Sequence, residues 1–170
     1  MVICPGCGAR FFAGSAVLAG HEAYNASPEC WHTYGALTSF IAAHPAELAV
    51  WQQSAVDAFT LQHLTSVMPP IRQAFALNGL YLVFELGFTG LQARAAHSHL
   101  ANTVRNWTAY DRAGAVGELT VSDVSIGSVD HCVDDMASWG RTVWDAWDDV
   151  HEEVAEATDR QLSGWHPPAR

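Results

Sequence analysis

Apolar residues recur along most of this chain at spacings of three and four, which is the pattern of helices with one buried face. Ser27 and Pro28 form the clearest helix start, because serine is a good N-cap and proline suits the first helical position. Pro45 and the pair Pro69-Pro70 begin the next two segments. The pattern predicts five helices, over residues 28–43, 45–64, 71–86, 91–106 and 128–162.

Two of these predicted helices have unusual faces. Residues 71–86 are apolar nearly all round, which places this helix at the centre of a bundle. Residues 128–162 carry one long apolar stripe, formed by Met136, Val143, Trp147, Val150 and Val154 and widened by Trp139 and Trp144. Residues 110–127 have a loop-like pattern, with a short extended piece predicted at 119–121.

The predicted fold class is therefore all-α, a helical bundle of about five helices with an N-terminal zinc knuckle. The 170 residues suffice for one domain with its own core, and a composition of 49% hydrophobic and 15% charged residues argues against disorder. We expect a single domain over residues 1–170, with the knuckle in 1–30 and the bundle in 31–165.

The charge of the chain excludes two classes of partner. The net charge is −10, no lysine is present and the eight arginines are scattered, so no basic stripe exists for nucleic acid or anionic lipid.

The longest apolar stretch, residues 79–88, contains Glu85 and is too short to span a bilayer. The first residues lack the pattern of a secretory signal, which favours the cytoplasm. The oligomeric state cannot be inferred from the sequence.

The first thirty residues contain a metal-binding pattern. Cys4 and Cys7 are separated by Pro-Gly, thirteen residues lead from Cys7 to His21, and eight more lead to Cys30. Cytoplasmic thiols stay reduced, and three cysteines with one histidine are a common closed, tetrahedral ligand set for structural Zn²⁺. We predict that Cys4, Cys7, His21 and Cys30 bind zinc and tie this segment to the first helix.

Other interpretations of these residues stay open. His32 lies two residues after Cys30 and is an alternative fourth ligand, although it should already lie in the helix. Cys4 and Cys7 could instead form a redox pair. Cys132 is isolated in the last helix and is interpreted as a packed thiol, while His97 is assigned to the surface.

A second, interior site is predicted from polar residues on buried faces. His63, Glu85 and His151 fall on inward faces of three predicted helices and could act as acid/base groups or ligands of a second metal ion. Asn78, Tyr81, Trp144 and Trp147 would line a Trp-rich pocket for a small apolar or aromatic molecule. The alternatives are that these are hydrogen-bonded core residues and that the protein is a non-catalytic, zinc-stabilised interaction or regulatory module.

Five strings together resemble an uncharacterised family of small bacterial proteins of unknown function. They are CPGCG at 4–8, ASPxCW at 26–31, VDAFxxQH at 56–63, GELTVxD at 117–123 and WxxxVWxAWxxxH at 139–151. The resemblance implies that the predicted zinc ligands, together with His63 and His151, occupy family motif positions. A histidine expected near Ala76 is absent here. The helical layout is also similar in outline to DinB-type four-helix metal enzymes, and this analogy concerns the fold alone.

Overall fold

The structure is a computed structural model that describes residues 1–14, 21–110 and 116–169, with the side chain of His21 outside the described part. It is mostly helical, so the predicted all-α class is confirmed. The elements are strands β1 (Val2–Ile3) and β2 (Arg10–Phe11) and helices α1 (Pro28–Ala43), α2 (Pro45–Leu48), α3 (Gln52–Gln62), α4 (Pro70–Phe84), α5 (Gly90–Thr103), α6 (Val129–Asp145) and α7 (His151–Gln161). Short 3₁₀ turns occupy His21–Ala23, Ala49–Trp51, Val121–Asp123 and Asp148–Val150.

Helix α4 lies at the centre of the bundle, as its sequence predicted. It packs against α3, α5, α6 and α7, and its residues from Ala76 to Leu82 are all buried. An apolar surface on every side of a helix is stable only when neighbours cover every side, which these four helices do. The core that they enclose holds Trp139, Trp144 and Trp147, each fully buried.

The long final helix predicted for residues 128–162 is wrong, because the chain turns between α6 and α7. The break follows Asp145, where the amide of Ala146 donates to the carbonyl of Thr142 at 3.2 Å and the amide of Trp147 donates to the carbonyl of Trp144 at 2.8 Å. The apolar stripe continues across it, since Trp147 and Val154 are both fully buried. The turn therefore redirects the chain without exposing the stripe.

Two smaller features also differ from the sequence prediction. The piece predicted as extended at 119–121 has no strand, and a 3₁₀ turn capped by Thr120 begins at Val121. The knuckle segment instead contains the two-stranded antiparallel sheet, with Val2 opposite Phe11. Among the described residues, no helix combines the length and the apolar character needed to cross a membrane.

Candidate metal centre

Four buried side chains from distant parts of the chain meet at one point. The Sγ atoms of Cys4, Cys7 and Cys30 and a ring nitrogen of His63 all lie within 4.8 Å of one another. The cysteines are at most 5% exposed and His63 is fully buried. Three thiols and one imidazole in this arrangement can hold a metal ion.

The N-terminal hairpin positions the first two cysteines. Between β1 and β2, the amide of Cys4 donates to the carbonyl of Ala9 at 2.8 Å, and the amide of Gly8 donates to the carbonyl of Cys4 at 3.0 Å. Gly8 has a φ of 77°, which a glycine adopts at little cost. These bonds fold residues 4–9 into a tight knuckle with both thiols on its inner side.

Cys30 reaches the cluster because it lies in the first turn of α1. Ser27 caps this helix as predicted, since its Oγ accepts the amide N–H of Cys30 at 3.2 Å. The amide N–H of Ser27 also points at the Sγ of Cys4, 3.4 Å away. A donor directed at a thiolate stabilises its negative charge, so the helix start supports two candidate ligands at once.

His63 ends α3 and is held in one orientation. Its Nδ1–H donates to the carbonyl of Phe59 at 2.7 Å, which directs Nε2 toward the Sγ atoms of Cys4 and Cys30, each 3.4 Å away. Its ring also stacks on Phe59, with centroids 4.0 Å apart. A metal-binding histidine is commonly fixed by such a backbone bond at its other nitrogen.

The knuckle and the end of α3 approach so closely that residue 6 has no room for a side chain. A Cβ on Gly6 would lie 2.6 Å from His63 Cδ2 and 2.7 Å from the carbonyl oxygen of Gln62, and it would also overlap the carbonyl oxygen of Asn25. The amide of Asn25 donates to the carbonyl of His63 at 2.9 Å. Backbone packing therefore brings His63 to the three cysteines.

In the absence of metal, hydrogen bonds within the cluster shift the pKa values of His63 and Cys4. Burial opposes a charge on His63, but hydrogen bonds to Cys4 and Cys7 outweigh it and raise the pKa of His63 to about 9. Hydrogen bonds from Cys30 and Cys7 lower the pKa of the Cys4 thiol. This cluster therefore favours a thiolate beside an imidazolium, and a bound cation would replace the protons.

The fourth member of the cluster corrects the sequence interpretation of His63. The sequence assigned His63 to an interior site, whereas the structure places it beside Cys4, Cys7 and Cys30, the three cysteines predicted as ligands. The His21 side chain predicted as fourth ligand lies outside the described residues. The alternative ligand, His32, is exposed on α1 and is not part of the cluster.

The predicted interior trio is not brought together. Glu85 is the C-cap residue of α4, with a side chain 43% exposed, so its expected burial is wrong. Its Oε1 accepts from Arg141 at 2.7 Å and from the Trp144 indole at 2.8 Å. The Arg141 guanidinium, together with this indole bond, lowers the pKa of Glu85 despite partial burial. His63 is held elsewhere, so the trio cannot act as one site.

Part of the predicted pocket does form a common surface. Tyr81, Glu85, Trp144 and His151 line an open pocket of about 270 Å³. Most of its polar groups already have protein partners, because His151 Nε2 bonds to the carbonyl of Trp144 and Tyr81 donates to Asp159. The ring of His151 lies flat on Trp144 at 3.7 Å.

The other two predicted pocket residues do not line this surface. Asn78 is buried and accepts a hydrogen bond from Thr158, while Trp147 is fully buried in the core. Cys132 is also fully buried, in agreement with its interpretation as a packed thiol. Within the described ranges, the cluster around His63 is the one group of three or more possible ligands near enough to share an ion.

Gln62, next to the candidate ligand His63, joins three of the strings that carry the family resemblance. Its Nε2 donates to the carbonyls of Val116 and Leu119 at 2.8 Å each, and its Oε1 accepts from the Trp139 indole at 3.0 Å. Gln62 is 2% exposed and Trp139 is fully buried. These bonds fix the end of α3, and with it His63, against α6 and the loop before Val121.

The fold and the cluster together define an all-α protein whose N-terminal hairpin joins the bundle through a possible Cys₃His metal site. A model described as a family of unknown function, DUF5946, matches residues 2–148. The chain therefore belongs to this family, and the expectation of an uncharacterised family is confirmed. No curated protein matches the chain. No solved structure matches it either.

Proposed function

We propose that this chain is a zinc protein in which Cys4, Cys7, Cys30 and His63 hold a structural Zn²⁺ that fastens the N-terminal hairpin to the helical bundle. The observation that carries the proposal is the spacing of the donor atoms. In a tetrahedral site with Zn–S of about 2.3 Å and Zn–N of about 2.0–2.1 Å, sulfurs stand about 3.8 Å apart and sulfur stands about 3.5 Å from nitrogen. The Cys7–Cys30 Sγ distance is 3.8 Å, and both sulfur–nitrogen distances to His63 are 3.4 Å.

The donor chemistry supports zinc over other abundant cations. Thiolate and imidazole are soft or borderline ligands, whereas Mg²⁺ and Ca²⁺ take oxygen ligands. Four protein ligands in a buried site leave no open position for water or substrate, which favours a structural role over a catalytic one. Thiols free to bind zinc persist in a reducing compartment, so we also propose the cytoplasm as the location.

Zinc would act here as a link between three distant segments. The ligands come from the hairpin, the first turn of α1 and the end of α3. The short strands of the hairpin, two residues each, bury little by themselves. A small segment of this kind gains most of its stability from the metal that its ligands share.

The zinc content of purified protein, measured by mass spectrometry of metals, tests the proposal. We expect one zinc per chain in the wild type, and loss of that zinc in Cys4→Ser and His63→Gln. Cys132→Ser and His32→Gln are the matched controls, because they remove a buried thiol and an imidazole outside the cluster, and both should keep the zinc.

A further variant separates the two candidates for the fourth ligand. His21→Gln should keep one zinc per chain with unchanged affinity for a competing chelator. If His21→Gln loses the metal while His63→Gln keeps it, the ligand set proposed here is wrong. If no variant contains zinc, and neither does the wild type after expression with added zinc, the whole proposal fails.

Acid–base catalysis by His63, Glu85 and His151 is not part of this proposal. His63 is assigned to the metal, and Glu85 is exposed and ion-paired with Arg141.

A further inference from the structure

A second pocket lies between α3, α4 and α5, and none of the four proposed zinc ligands lines it. Its volume is about 290 Å³, near the lower end for small-molecule sites. The partly exposed side chains of its wall are aromatic, apolar or amide groups, namely Tyr24, Gln53, Val56 and Phe75. Arg72, which is exposed, adds a positive charge to this wall. The accessible part of the pocket therefore combines apolar surface with a cation.

Two titratable residues of the wall are packed into the protein and offer the pocket almost no accessible surface. Asp57 is 3% exposed and His97 is 6% exposed. Oδ2 of Asp57 lies against Gly79, where a Cβ would overlap the carboxylate. The ring of His97 stacks on Phe75 with centroids 4.7 Å apart, so its sequence assignment to the surface is wrong. Burial raises the pKa of Asp57 well above its usual value and lowers the pKa of His97 to about 4, which favours the neutral form of both.

The guanidinium of Arg72 is held over an aromatic ring but has no polar partner among the described residues. Its central carbon lies 5.7 Å from the centroid of the Tyr24 ring, which itself stacks on Trp31 with centroids 5.4 Å apart. In contrast, the guanidinium of Arg141 donates to Glu85 at 2.7 Å. A planar guanidinium above a ring keeps its N–H groups free to donate to both oxygens of one carboxylate. Arg72 is therefore available to bind an anion.

A second unused donor lies on the same wall, at Gln53. Its Nε2 donates one N–H to Oδ1 of Asp57 at 2.9 Å, and the other N–H of this amide has no acceptor within the described ranges. Beside these donors, Val56 and Phe75 supply apolar surface. A ligand that fits this wall has an anionic end for the arginine and the amide, and a flat apolar body.

We propose that this pocket binds a small aromatic carboxylate, whose oxygens accept from the Arg72 guanidinium and the Gln53 amide while its ring packs against Phe75. A single negative charge matches the single arginine of the described lining. The net charge of −10 disfavours more highly charged anions such as phosphate esters. No acidic residue in the first turn of α4 competes for Arg72. The neutral form of Asp57, which burial favours, adds no repulsion.

Benzoate is a suitable probe, because it combines a flat ring with one carboxylate. Titration of the zinc-loaded protein, followed by calorimetry or by NMR shifts of aromatic ring signals, should show saturable one-to-one binding with a Kd of about 1 mM or lower. Benzamide has a similar shape but no charge, and it should bind at least ten-fold more weakly. Arg72→Gln should weaken benzoate binding at least ten-fold. Arg72→Lys, which keeps the charge but loses the paired N–H donors, should weaken it several-fold.

Arg160→Gln is the matched control, because it removes the same charge from an exposed position outside this pocket, and it should leave benzoate binding unchanged. Zinc content, measured on every variant, separates a failure of this pocket from a failure of the metal site. The proposal is overturned by the absence of saturable binding to the wild type, or by equal binding of benzoate and benzamide. Equal benzoate affinities of Arg72→Gln and Arg160→Gln would show that Arg72 holds no ligand, and this result would also overturn it.

Discussion

Replacing Gln62 with leucine removes three hydrogen bonds from one buried position without changing a proposed metal ligand. Two of them reach the carbonyls of Val116 and Leu119, and the third accepts the Trp139 indole. Each such bond contributes about 1 kcal/mol to stability, and a buried polar group left unpaired costs about 1–3 kcal/mol. Trp139 is fully buried, so its N–H cannot turn to water instead.

The expected loss for Gln62→Leu is therefore about 3–5 kcal/mol, after about 1 kcal/mol is regained from the added apolar surface. Urea unfolding with saturating zinc measures this loss, and the seven tryptophans supply the fluorescence signal. Zinc content should stay at one per folded chain. Gln52→Leu, at the exposed start of α3, is the matched control and should change stability by less than about 0.5 kcal/mol. A loss below about 1 kcal/mol at Gln62 would refute the reasoning.

Three further predictions concern single positions. Gly6→Ala should lower zinc affinity at least ten-fold in chelator competition, because its Cβ would press on His63. Gly35→Ala is the control: it lies in α1 with open space around it and should stabilise the protein by up to about 1 kcal/mol. Burial lowers the pKa of His97 from 6.5 to about 4, so the folded state binds fewer protons and stability is lost as pH falls between these values. That loss, about 3 kcal/mol, should be absent in His97→Gln when urea unfolding midpoints are measured from pH 7 to pH 4. If the wild type and His97→Gln lose stability equally over this pH range, His97 is not the group responsible. The pKa of Glu85 is lowered from 4.5, so its contribution to stability, about 0.2–1 kcal/mol, is present above pH 4.5 and is lost as pH falls through its folded-state pKa. Thermal melts at several pH values measure this contribution. It is excluded if Glu85→Gln shows the same acid dependence as the wild type.

The helices could be predicted because their signals are local. The Ser27-Pro28 start and the apolar spacing of α4 act within a few residues, and the structure retains them. The single helix predicted over residues 45–64 is wrong, because a 3₁₀ turn at Ala49–Trp51 separates α2 from α3. The break after Asp145 has no local signal, since neither glycine nor proline lies there and the apolar stripe runs across it. Only the packing of Trp147 into the core reveals the turn.

The three cysteines of the candidate site could be predicted from the sequence, whereas the histidine beside them could not. The spacing of Cys4 and Cys7 is a local metal signal, and Cys30 follows at the start of a helix. His63 comes 33 residues after Cys30, beyond the spacings of common zinc motifs, and reaches the cluster only because α3 ends against the knuckle. Glu85 was misjudged for a related reason, because Arg141 from α6 meets it at the exposed end of α4.

The order of the proposed ligands along the chain also sets an order of events during synthesis. The three thiols are made between residues 4 and 30, and the imidazole that completes the set is made 33 residues after the last of them. At about 5–20 residues per second, this gap lasts about two to seven seconds. During that interval only the three sulfur members of the proposed set have been made, so the four-ligand site closes only after α3 has emerged and docked against the knuckle.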